Sequence, residues 1–500
     1  MSTVEAWTPN DQIAEAFPIT SAASWAELLQ RYCDGRPSPQ LERIFEIARQ
    51  HQTKAVLIEQ RYIDADWRSE HAGFYGTTFA RYPSVSHRLH FFSSCLPEDL
   101  GDLSSLGKDC YKGYCVIRPI NWAPVGRTMI APPVELKNAI QCFATEEVNV
   151  LGWRFSITSA PFMSQDGEFT RCAHAVMWMV CQHAHLEQGL PRRVPRDIHE
   201  ASLGGLIVNR QLPSDGLSPH QLLSALTSLG LSPGVVALPQ SRESEIDATP
   251  IASLFATICR YINCNLPPIV ISTTHAWLCV AYMRLADRGG GMVLYRHDDS
   301  LGPFIRVDDP YEEANAAHRP WRSAILPLPP KIYITAERAE AVGRWWFLKQ
   351  IEEGRADAHF LKKYTEDRIA YRTYVQSSNA FKENLPSREN LLSQLAREYR
   401  LTNMPRLIWV VEAVDRDRRD IERSAIFGEV VIDPTSRREP TVHDPGILCI
   451  FANGRFESTG LDHGEQRSVE ISLAVYESGR LVEGQPVRQA TASPTSLGSE

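Results

Sequence analysis

One cysteine, one histidine and a pair of aspartates follow each other along the chain in an order that suits catalysis by a thiol. Cys172 heads an apolar, helix-like run, "CAHAVMWMVCQHAH". His275 opens the strand-like "HAWLCVAYM", and Asp298 and Asp299 close the next strand candidate, in "YRHDDSLG". In such a set the thiolate attacks a carbonyl, the imidazole moves the proton and a carboxylate orients the imidazole. These residue types in this order predict covalent acyl-transfer chemistry at Cys172.

The chain contains 11 cysteines, and Cys172 differs from the others in its position. It follows the loop "SAPFMSQDGEFTR", so a helix is expected to begin there. Unpaired amides and the macrodipole at a helix N-terminus favour the thiolate form of a cysteine. Cys181 lies inside the same helix and receives no such help. The odd number of cysteines, several in apolar runs, predicts that the others are reduced, buried thiols.

His275 is the expected base, although His174 is nearer in sequence. His174 shares a helical turn with Cys172, so no separate rigid element would hold it against the thiol. His275 begins a strand, and a strand end packed against a helix N-terminus can aim an imidazole at it. His183 and His185, further along the same helix, are expected to face solvent.

The three segments together resemble the papain-like cysteine peptidase superfamily, most of all its bacterial branch related to bacteriocin-processing peptidases. The resemblance implies that Cys172 is the nucleophile and His275 the general base and acid. The third residue of that superfamily opens a turn before a strand, and "DSLG" before "PFIRV" gives this role to Asp299. Asp298 is a close alternative, because a one-residue slip reverses which side chain faces inward. The acidic pair in "VDDP" (308–309) is a weaker choice.

The resemblance also implies an oxyanion donor upstream of the nucleophile. Gln165 precedes Cys172 in "SQDGEFTRC" and, with the Cys172 backbone N–H, would bind the developing oxyanion; otherwise it is a polar loop residue. The resemblance covers about residues 150–310. His174 and Met177 stand where the family often has small residues and tryptophan, which leaves the subfamily and the substrate open.

The predicted elements indicate an α+β fold with a papain-like core and mixed flanking regions. Residues 1–150 start with two amphipathic helices followed by strand-like runs, an N-terminal α/β region of unknown role. Residues 151–335 contain the cysteine-bearing helix and then an antiparallel sheet, the expected catalytic core. Residues 336–485 predict a C-terminal α/β region, and the small, polar tail 486–500 is expected to be disordered.

Charge and hydropathy argue against two classes of partner. The net charge is -8 and the basic runs are short, whereas a nucleic-acid interface needs clustered lysine and arginine. No segment approaches the roughly 20 apolar residues of a membrane span, and the N-terminus lacks the pattern of a secretory signal. We therefore expect a cytoplasmic protein without nucleic-acid or membrane partners. Export by a signal-independent route and the oligomeric state stay open.

No segment predicts a cofactor or a metal ion. "GDLSSLGKD" (101–109) has five residues between its glycines, whereas a phosphate loop has four. Zinc sites need four ligands at ordered spacing. Two cysteine pairs lack that order and are expected to be buried thiols: Cys110 with Cys115, and Cys259 with Cys264.

The function expected from these observations is a thiol hydrolase that cleaves a peptide, isopeptide or related amide or thioester bond through an acyl-enzyme. A peptide or protein substrate is expected by analogy with the superfamily. Two alternatives use the same residues: a transglutaminase-like acyl transferase and a catalytically silent papain-like binding module. A toxin that cleaves proteins of a host or competitor would share the chemistry and differ only in its delivery.

Overall fold

The computed structural model describes residues 13–204, 216–238, 248–284, 292–316, 320–352, 369–385, 393–415, 423–435, 446–452, 455–459, 466–470 and 480–482. The chain divides into two compact units. The first contains residues 1–254 and 267–329, and the second contains residues 255–266 and 330–500. The tail predicted at 486–500 lies outside the described residues.

The elements of the first unit follow one another along the chain, and α7 passes from the first unit into the second. They are β1 (Ala14–Pro18), α1 (Ala22–Cys33), α2 (Pro39–Gln50), β2 (Ala55–Tyr62), α3 (Ala65–Gly73), β3 (Ser86–Phe92), β4 (Tyr111–Ile117), β5 (Val125–Ile130), β6 (Ile140–Gln141), β7 (Ala144–Val150), β8 (Trp153–Ser159), α4 (Cys172–Gln188), α5 (Pro195–Ser202), α6 (Pro219–Ser228), β9 (Gly234–Ala237), α7 (Ala248–Asn263), β10 (Ile269–Ser272), β11 (Ala276–Arg284), β12 (Met292–Asp298), β13 (Gly302–Val307), α8 (Pro310–Asn315) and β14 (Trp321–Leu326).

All strand pairings described in the first unit are antiparallel. One sheet has the order β1-β2-β3-β4-β5, and a second has the order β13-β12-β11-β10-β14-β9, with β6 beside β11. Strands β7 and β8 form a separate hairpin. Helices combined with antiparallel sheets are an α+β architecture, so the predicted class is confirmed.

The second sheet brings two turns to the same end. Strands β10 and β11 are antiparallel neighbours, as are β11 and β12, and β12 and β13. The chain therefore reaches one end of the sheet at the β10–β11 turn and returns to that end at the β12–β13 turn. His275 lies in the first of these turns, and Asp298 and Asp299 lie at the second.

Helix α4 is buried around its whole circumference. Every side chain from Ala173 to Ala184 is buried, in an apolar core shared with residues of α1, α2, α6, β2 and β11. A helix that is apolar on all sides belongs inside a core. It ends at Gly189, whose left-handed backbone (φ 67°) lets its N–H reach the carbonyls of Ala184 and His185. The helix start leaves Cys172 partly exposed at the edge of this core.

The first unit includes both the predicted N-terminal region and the predicted catalytic core. The expected boundary at residue 150 falls in the turn of the β7–β8 hairpin, where Val150 pairs with Trp153. Residues from both sides of that boundary share one apolar core, because α2 and β2 pack in the same cluster as α4 and β11. The second unit begins at residue 330 and also takes in residues 255–266.

The second unit contains one helix-covered antiparallel sheet. Its elements after α7 are α9 (Ala336–Glu352), β15 (Ile369–Ser377), α10 (Ser378–Glu383), α11 (Ser393–Leu401), β16 (Leu407–Asp415), β17 (Arg423–Ile432), β18 (Ile447–Ala452), β19 (Arg455–Thr459), β20 (Gln466–Glu470) and β21 (Arg480–Val482). Strands β15 to β20 lie side by side in chain order, and β21 pairs with β17. In chain order, α10 and α11 lie between β15 and β16, so that connection of the meander contains these helices.

Within the described part of the chain, none of the helices combines the length and the apolar character that crossing a membrane requires.

Candidate active site

Cys172 is the first residue of α4, and the loop before it is held in a fixed shape by Asp166. The Oδ1 atom of Asp166 accepts three backbone hydrogen bonds. They come from Glu168 at 2.7 Å, Phe169 at 2.8 Å and Thr170 at 2.9 Å. An aspartate that binds the amides just after it closes a compact turn, which here fixes where the helix can start. The Cys172 thiol is therefore held at a fixed position by the loop before it.

The same loop is anchored on a buried arginine. Arg118 Nη2 donates to the carbonyl and the hydroxyl of Ser164, at 3.3 and 2.9 Å. Arg118 Nη1 lies 3.1 Å from Glu70 Oε1, and both side chains are almost completely buried. On the solvent side, Trp122 Nε1 donates to the carbonyl of Asp166 at 3.0 Å. The loop that presents the thiol is thus fixed by residues of the N-terminal 150.

His275 occupies the turn between β10 and β11, where Ser272 closes the backbone. The Ser272 hydroxyl accepts the His275 N–H at 3.1 Å, and the Ser272 N–H donates to the His275 carbonyl at 2.9 Å. The imidazole packs beside Trp277, with 5.9 Å between ring centroids. These contacts restrict the ring to one region at the sheet end.

Two aspartates face the same nitrogen of His275. Asp298 Oδ1 lies 3.1 Å from His275 Nε2 and also accepts the Ser300 N–H at 3.0 Å. Asp299 Oδ1 lies 3.5 Å from the same Nε2, beyond good hydrogen-bond distance. Both residues are 0% exposed, and neither carboxyl oxygen of Asp299 has a hydrogen-bond partner among the described residues. Asp298 is the better-placed acid of the pair.

The charges in this cluster give the two aspartates different pKa values. Burial by itself lowers the pKa of His275, but hydrogen bonds with Asp298 and Cys172 and the charges of both aspartates raise it to about 10. Burial opposes ionisation of Asp298, yet His275 and Arg296 together lower the pKa of that carboxyl. Burial, assisted by Asp298, raises the pKa of Asp299 to about 7. Near neutral pH the cluster therefore favours an imidazolium beside an ionised Asp298.

Cys172 is the remaining member of the cluster. Its side chain acts on the His275 imidazole and contributes to the raised pKa of that ring. Because Nε2 faces the aspartates, Nδ1 is the ring nitrogen left for the sulfur. Cys181, in contrast, is buried inside α4, and burial raises the pKa of its thiol to about 12. Of these two thiols on one helix, Cys172 is the one with an imidazole partner.

The other histidines of α4 make contacts that stabilise the fold. His174 is buried, its Nδ1 accepts the Arg171 N–H at 3.4 Å, and its ring stacks on His199. Burial lowers the pKa of His174 to about 3, so it stays neutral. His183 is buried, and the expectation that it faces solvent is wrong because α4 is apolar on all sides. His185 is partly buried, and its Nδ1 lies 2.7 Å from the carbonyl of Leu190.

Gln165 reaches the loop that carries the acids. Its Nε2 donates to the Ser300 hydroxyl at 2.9 Å. This bond joins the loop before the nucleophile to the residue directly after Asp299. An amide nitrogen has two hydrogens, so one remains for a further acceptor.

The weaker candidates at 308–309 have other contacts. Asp309 caps helix α8 by accepting the N–H groups of Tyr311 and Glu312, each at 3.0 Å. Asp308 accepts from Arg306 Nε at 2.7 Å. These bonds give both aspartates structural roles in the segment after β13.

Two residues of α2 support the acid-bearing turn, and sequence analysis did not single them out. Gln40 Nε2 donates to the Asp299 carbonyl at 3.1 Å, and Arg43 Nη2 donates to the Phe304 carbonyl at 2.8 Å. We call Gln40 and Arg43 the α2 brace. Gly302 allows the close approach: its φ is 128°, and a Cβ there would lie 2.9 Å from the Arg43 Cβ. No local pattern signals such contacts, because they join residues 259 or more positions apart.

One set of described residues has the composition of a metal site. His275, Asp298 and Asp299 each offer a ligand atom, and these atoms lie within 4.8 Å of one another. Positive charge is already present on both sides of Asp298, from the His275 ring at 3.1 Å and from Arg296 Nε at 3.6 Å. A divalent cation would have to displace the Nε2 proton and lie close to the guanidinium. The arrangement thus favours an acid–imidazole pair over a metal centre.

Chelation is expected to leave the alkylation rate of Cys172 unchanged, because His275 and Arg296 already supply the positive charge that Asp298 needs. The check is the metal content of the purified full chain and its alkylation rate before and after treatment with a strong chelator. A stoichiometric metal whose removal alters that rate would contradict this prediction.

No protein-family model and no curated protein matches the chain. Among solved structures, UfSP from C. elegans is similar to part of the chain. The two share 13% sequence identity over 39% of this chain and 36% of UfSP, with a TM-score of 0.23. The match thus spans only about a third of the length of UfSP.

Proposed function

We propose that this protein is a thiol hydrolase that cleaves a peptide, isopeptide or related amide or thioester bond. The observation that carries the proposal is the set of side chains around His275. Cys172 acts on the imidazole, and Asp298 and Asp299 lie 3.1 and 3.5 Å from its Nε2. A thiol, an imidazole and a buried carboxylate form the set that activates a sulfur nucleophile.

In the proposed reaction, the proton of the Cys172 thiol is already on His275 in the resting enzyme, as an imidazolium, and the Cys172 thiolate attacks the substrate carbonyl carbon. The tetrahedral intermediate has a negatively charged oxygen, which the Cys172 backbone N–H and the second amide hydrogen of Gln165 would bind. Collapse of the intermediate breaks the scissile bond as His275 protonates the leaving group. Water, deprotonated by His275, then releases the acyl group and restores the thiol.

The proposal gives the orienting role to Asp298. The distance from Nε2 is 3.1 Å for Asp298 and 3.5 Å for Asp299, and the Ser300 N–H also holds the Asp298 carboxylate. Asp298 is also the carboxylate whose pKa the surrounding cations lower. A base that is held by an ionised, hydrogen-bonded carboxylate keeps one orientation and one tautomer.

The resemblance of the three segments to papain-like peptidases and the partly exposed thiol support a peptide or protein as the substrate. An amine in place of water would turn the same acyl-enzyme into an acyl transferase. Supplying a primary amine together with a peptidyl thioester distinguishes the two, because transfer yields an amide product and hydrolysis yields a free acid.

The test of the proposal is alkylation of the full chain by iodoacetamide at mildly acidic pH, followed site by site with mass spectrometry. Cys172 is expected to react at least about tenfold faster than Cys95, which is exposed and serves as an internal reference. The variant His275→Ala is expected to remove this advantage and leave the Cys95 rate unchanged. Equal rates at Cys172 and Cys95 in the natural protein would contradict the enzyme and favour a silent binding module.

Truncation of the two aspartates is expected to have unequal effects. Asp298→Ala removes the acceptor of the His275 Nε2 proton and of the Ser300 N–H. We therefore expect this variant to hydrolyse a peptidyl thioester more slowly than the Asp299→Ala variant, by on the order of tenfold or more. The measurement is kcat/KM for both variants at one pH. An equal or larger loss for Asp299→Ala would transfer the orienting role to Asp299.

Asp299 should also make stability depend on pH in a defined direction. Burial raises its pKa from 3.8 to about 7 in the folded state. Folding therefore takes up a proton at Asp299 between these values, and the contribution of Asp299 to stability falls as the pH rises through this window. Asp299→Asn has no such proton, so its stability relative to the natural protein should increase from about pH 4 to about pH 7. Denaturant unfolding at several pH values checks this; a difference that does not change with pH would refute it.

A further inference from the structure

Arg296 lies behind Asp298, on the side away from His275. Its Nε is 3.6 Å from Asp298 Oδ2, while His275 Nε2 is 3.1 Å from the other oxygen, Oδ1. Arg296 is on β12, two residues before Asp298, and is 8% exposed. The Asp298 carboxylate is therefore placed between two cationic groups.

Two neighbours fix the guanidinium in place. Its central carbon lies 4.7 Å from the centre of the Trp277 ring, and its Nη1 donates to Glu313 Oε1 at 2.6 Å. The same Trp277 ring packs against His275. Arg296 and His275 thus pack against the same indole. This contact keeps both cationic groups, the guanidinium and the imidazolium, next to Asp298.

Asp299 lacks this second cation. Its oxygens accept no hydrogen bond within the described residues, and the charged groups acting on its carboxyl are His275, which favours ionisation, and Asp298, which opposes it. Two carboxyl groups that share one imidazole at 3.1 and 3.5 Å cannot both ionise at low cost, so a nearby charge decides between them.

We propose that Arg296 is a positioning residue that makes Asp298, rather than Asp299, the ionised partner of His275. This inference rests on the proposed function, because the choice matters only if His275 serves Cys172. The groups facing His275 are Cys172 from α4, Trp277 from β11 and the two aspartates at the end of β12. Glu313 of α8 faces Arg296 from the other side and holds the guanidinium in place.

Loss of this cation changes how the reactivity of Cys172 falls at low pH, which we call the acid limb of its pH profile. With Arg296 present, Asp298 stays ionised to lower pH and keeps the imidazolium beside the thiol. Without it, Asp298 and Asp299 become more alike and the pair accepts a proton at higher pH. The reactivity of Cys172 should then fall at a higher pH than in the natural protein.

The test compares Arg296→Met, Arg296→Lys and Glu313→Gln in the full chain. The readouts are the pH dependence of Cys172 alkylation and the NMR titration of the His275 ring. We expect Arg296→Met to shift the acid limb upward by roughly one pH unit, Arg296→Lys to keep most of the natural profile, and Glu313→Gln, which retains the cation, to shift it much less. Thermal unfolding of each variant verifies that it is folded.

A double-variant cycle tests selection between the acids more directly. If Arg296 selects Asp298 over Asp299, the shift caused by Arg296→Met must be smaller when Asp299→Asn has already removed the competing acid. Identical shifts in the two backgrounds would overturn the inference, as would an unmoved acid limb in folded Arg296→Met. Failure of the proposed function has a different signature, because Cys172 of the natural protein would then show no selective alkylation.

Discussion

His275→Gln is expected to slow hydrolysis of a peptidyl thioester by on the order of 10²- to 10⁴-fold. Glutamine keeps a polar group of similar length in the β10–β11 turn, so the Ser272 contacts to the backbone remain. It cannot take the proton of the Cys172 thiol or return it to the leaving group. The loss should appear mainly in kcat, since the side chain acts on the bond-breaking steps rather than on substrate binding.

His174→Gln is the matched control for that experiment. His174 lies in the same helical turn as Cys172, but it is buried and stacks on His199. The control variant should keep most of the rate, provided that circular dichroism and thermal unfolding show a folded chain. Equal losses in the two variants would mean that His275 does not act as the base.

Arg118→Met is expected to lower the free energy of unfolding by about 3–5 kcal/mol. The change removes the partner of Glu70 and the donor to Ser164, and both of these residues are buried. A buried carboxyl group without its cation and a carbonyl without its donor each carry a desolvation cost. Urea unfolding of the natural chain and the variant measures the difference.

A double-variant cycle separates the lost ion pair from lost packing. Glu70→Gln removes the carboxylate, so Arg118→Met should be less damaging in that background than in the natural chain. The same cost in both backgrounds would show that Arg118 contributes through its bonds to Ser164 and to the carbonyl of Ala123 rather than through Glu70. Arg118→Met should also loosen the loop before Cys172, which slower alkylation of that thiol in the folded variant would reveal.

The features that could be predicted from the sequence depend on local signals. The loop before Cys172, the apolar run after it and the glycine at 189 define a helix and its two ends, and α4 begins and ends accordingly. The strand that starts after His275 and the strand that ends at Asp298 follow from short apolar runs bounded by turns. The two turns meet because consecutive antiparallel strands return the chain to one end of a sheet.

The choice between Asp298 and Asp299 could not be made in the same way. It depends on a difference of a few tenths of an ångström between the distances from the two carboxylates to His275 Nε2. It also depends on Arg296, which Trp277 and Glu313 hold near Asp298. Periodicity also misplaced His183, because a helix apolar on all sides gives no pattern that separates its buried and exposed faces. The core that α2 and α4 share across the predicted boundary at residue 150 has no local signal in the sequence, since that contact is long-range.

The α2 brace has a consequence for the synthesis of this protein. Gln40 and Arg43 leave the ribosome early, while their partners at Asp299 and Phe304 are added about 260 residues later. The Cys172 thiol likewise emerges long before His275, so a nascent or truncated chain carries the thiol without its base. In the proposed mechanism, a chain whose synthesis stops before His275 therefore lacks the base and cannot carry out hydrolysis.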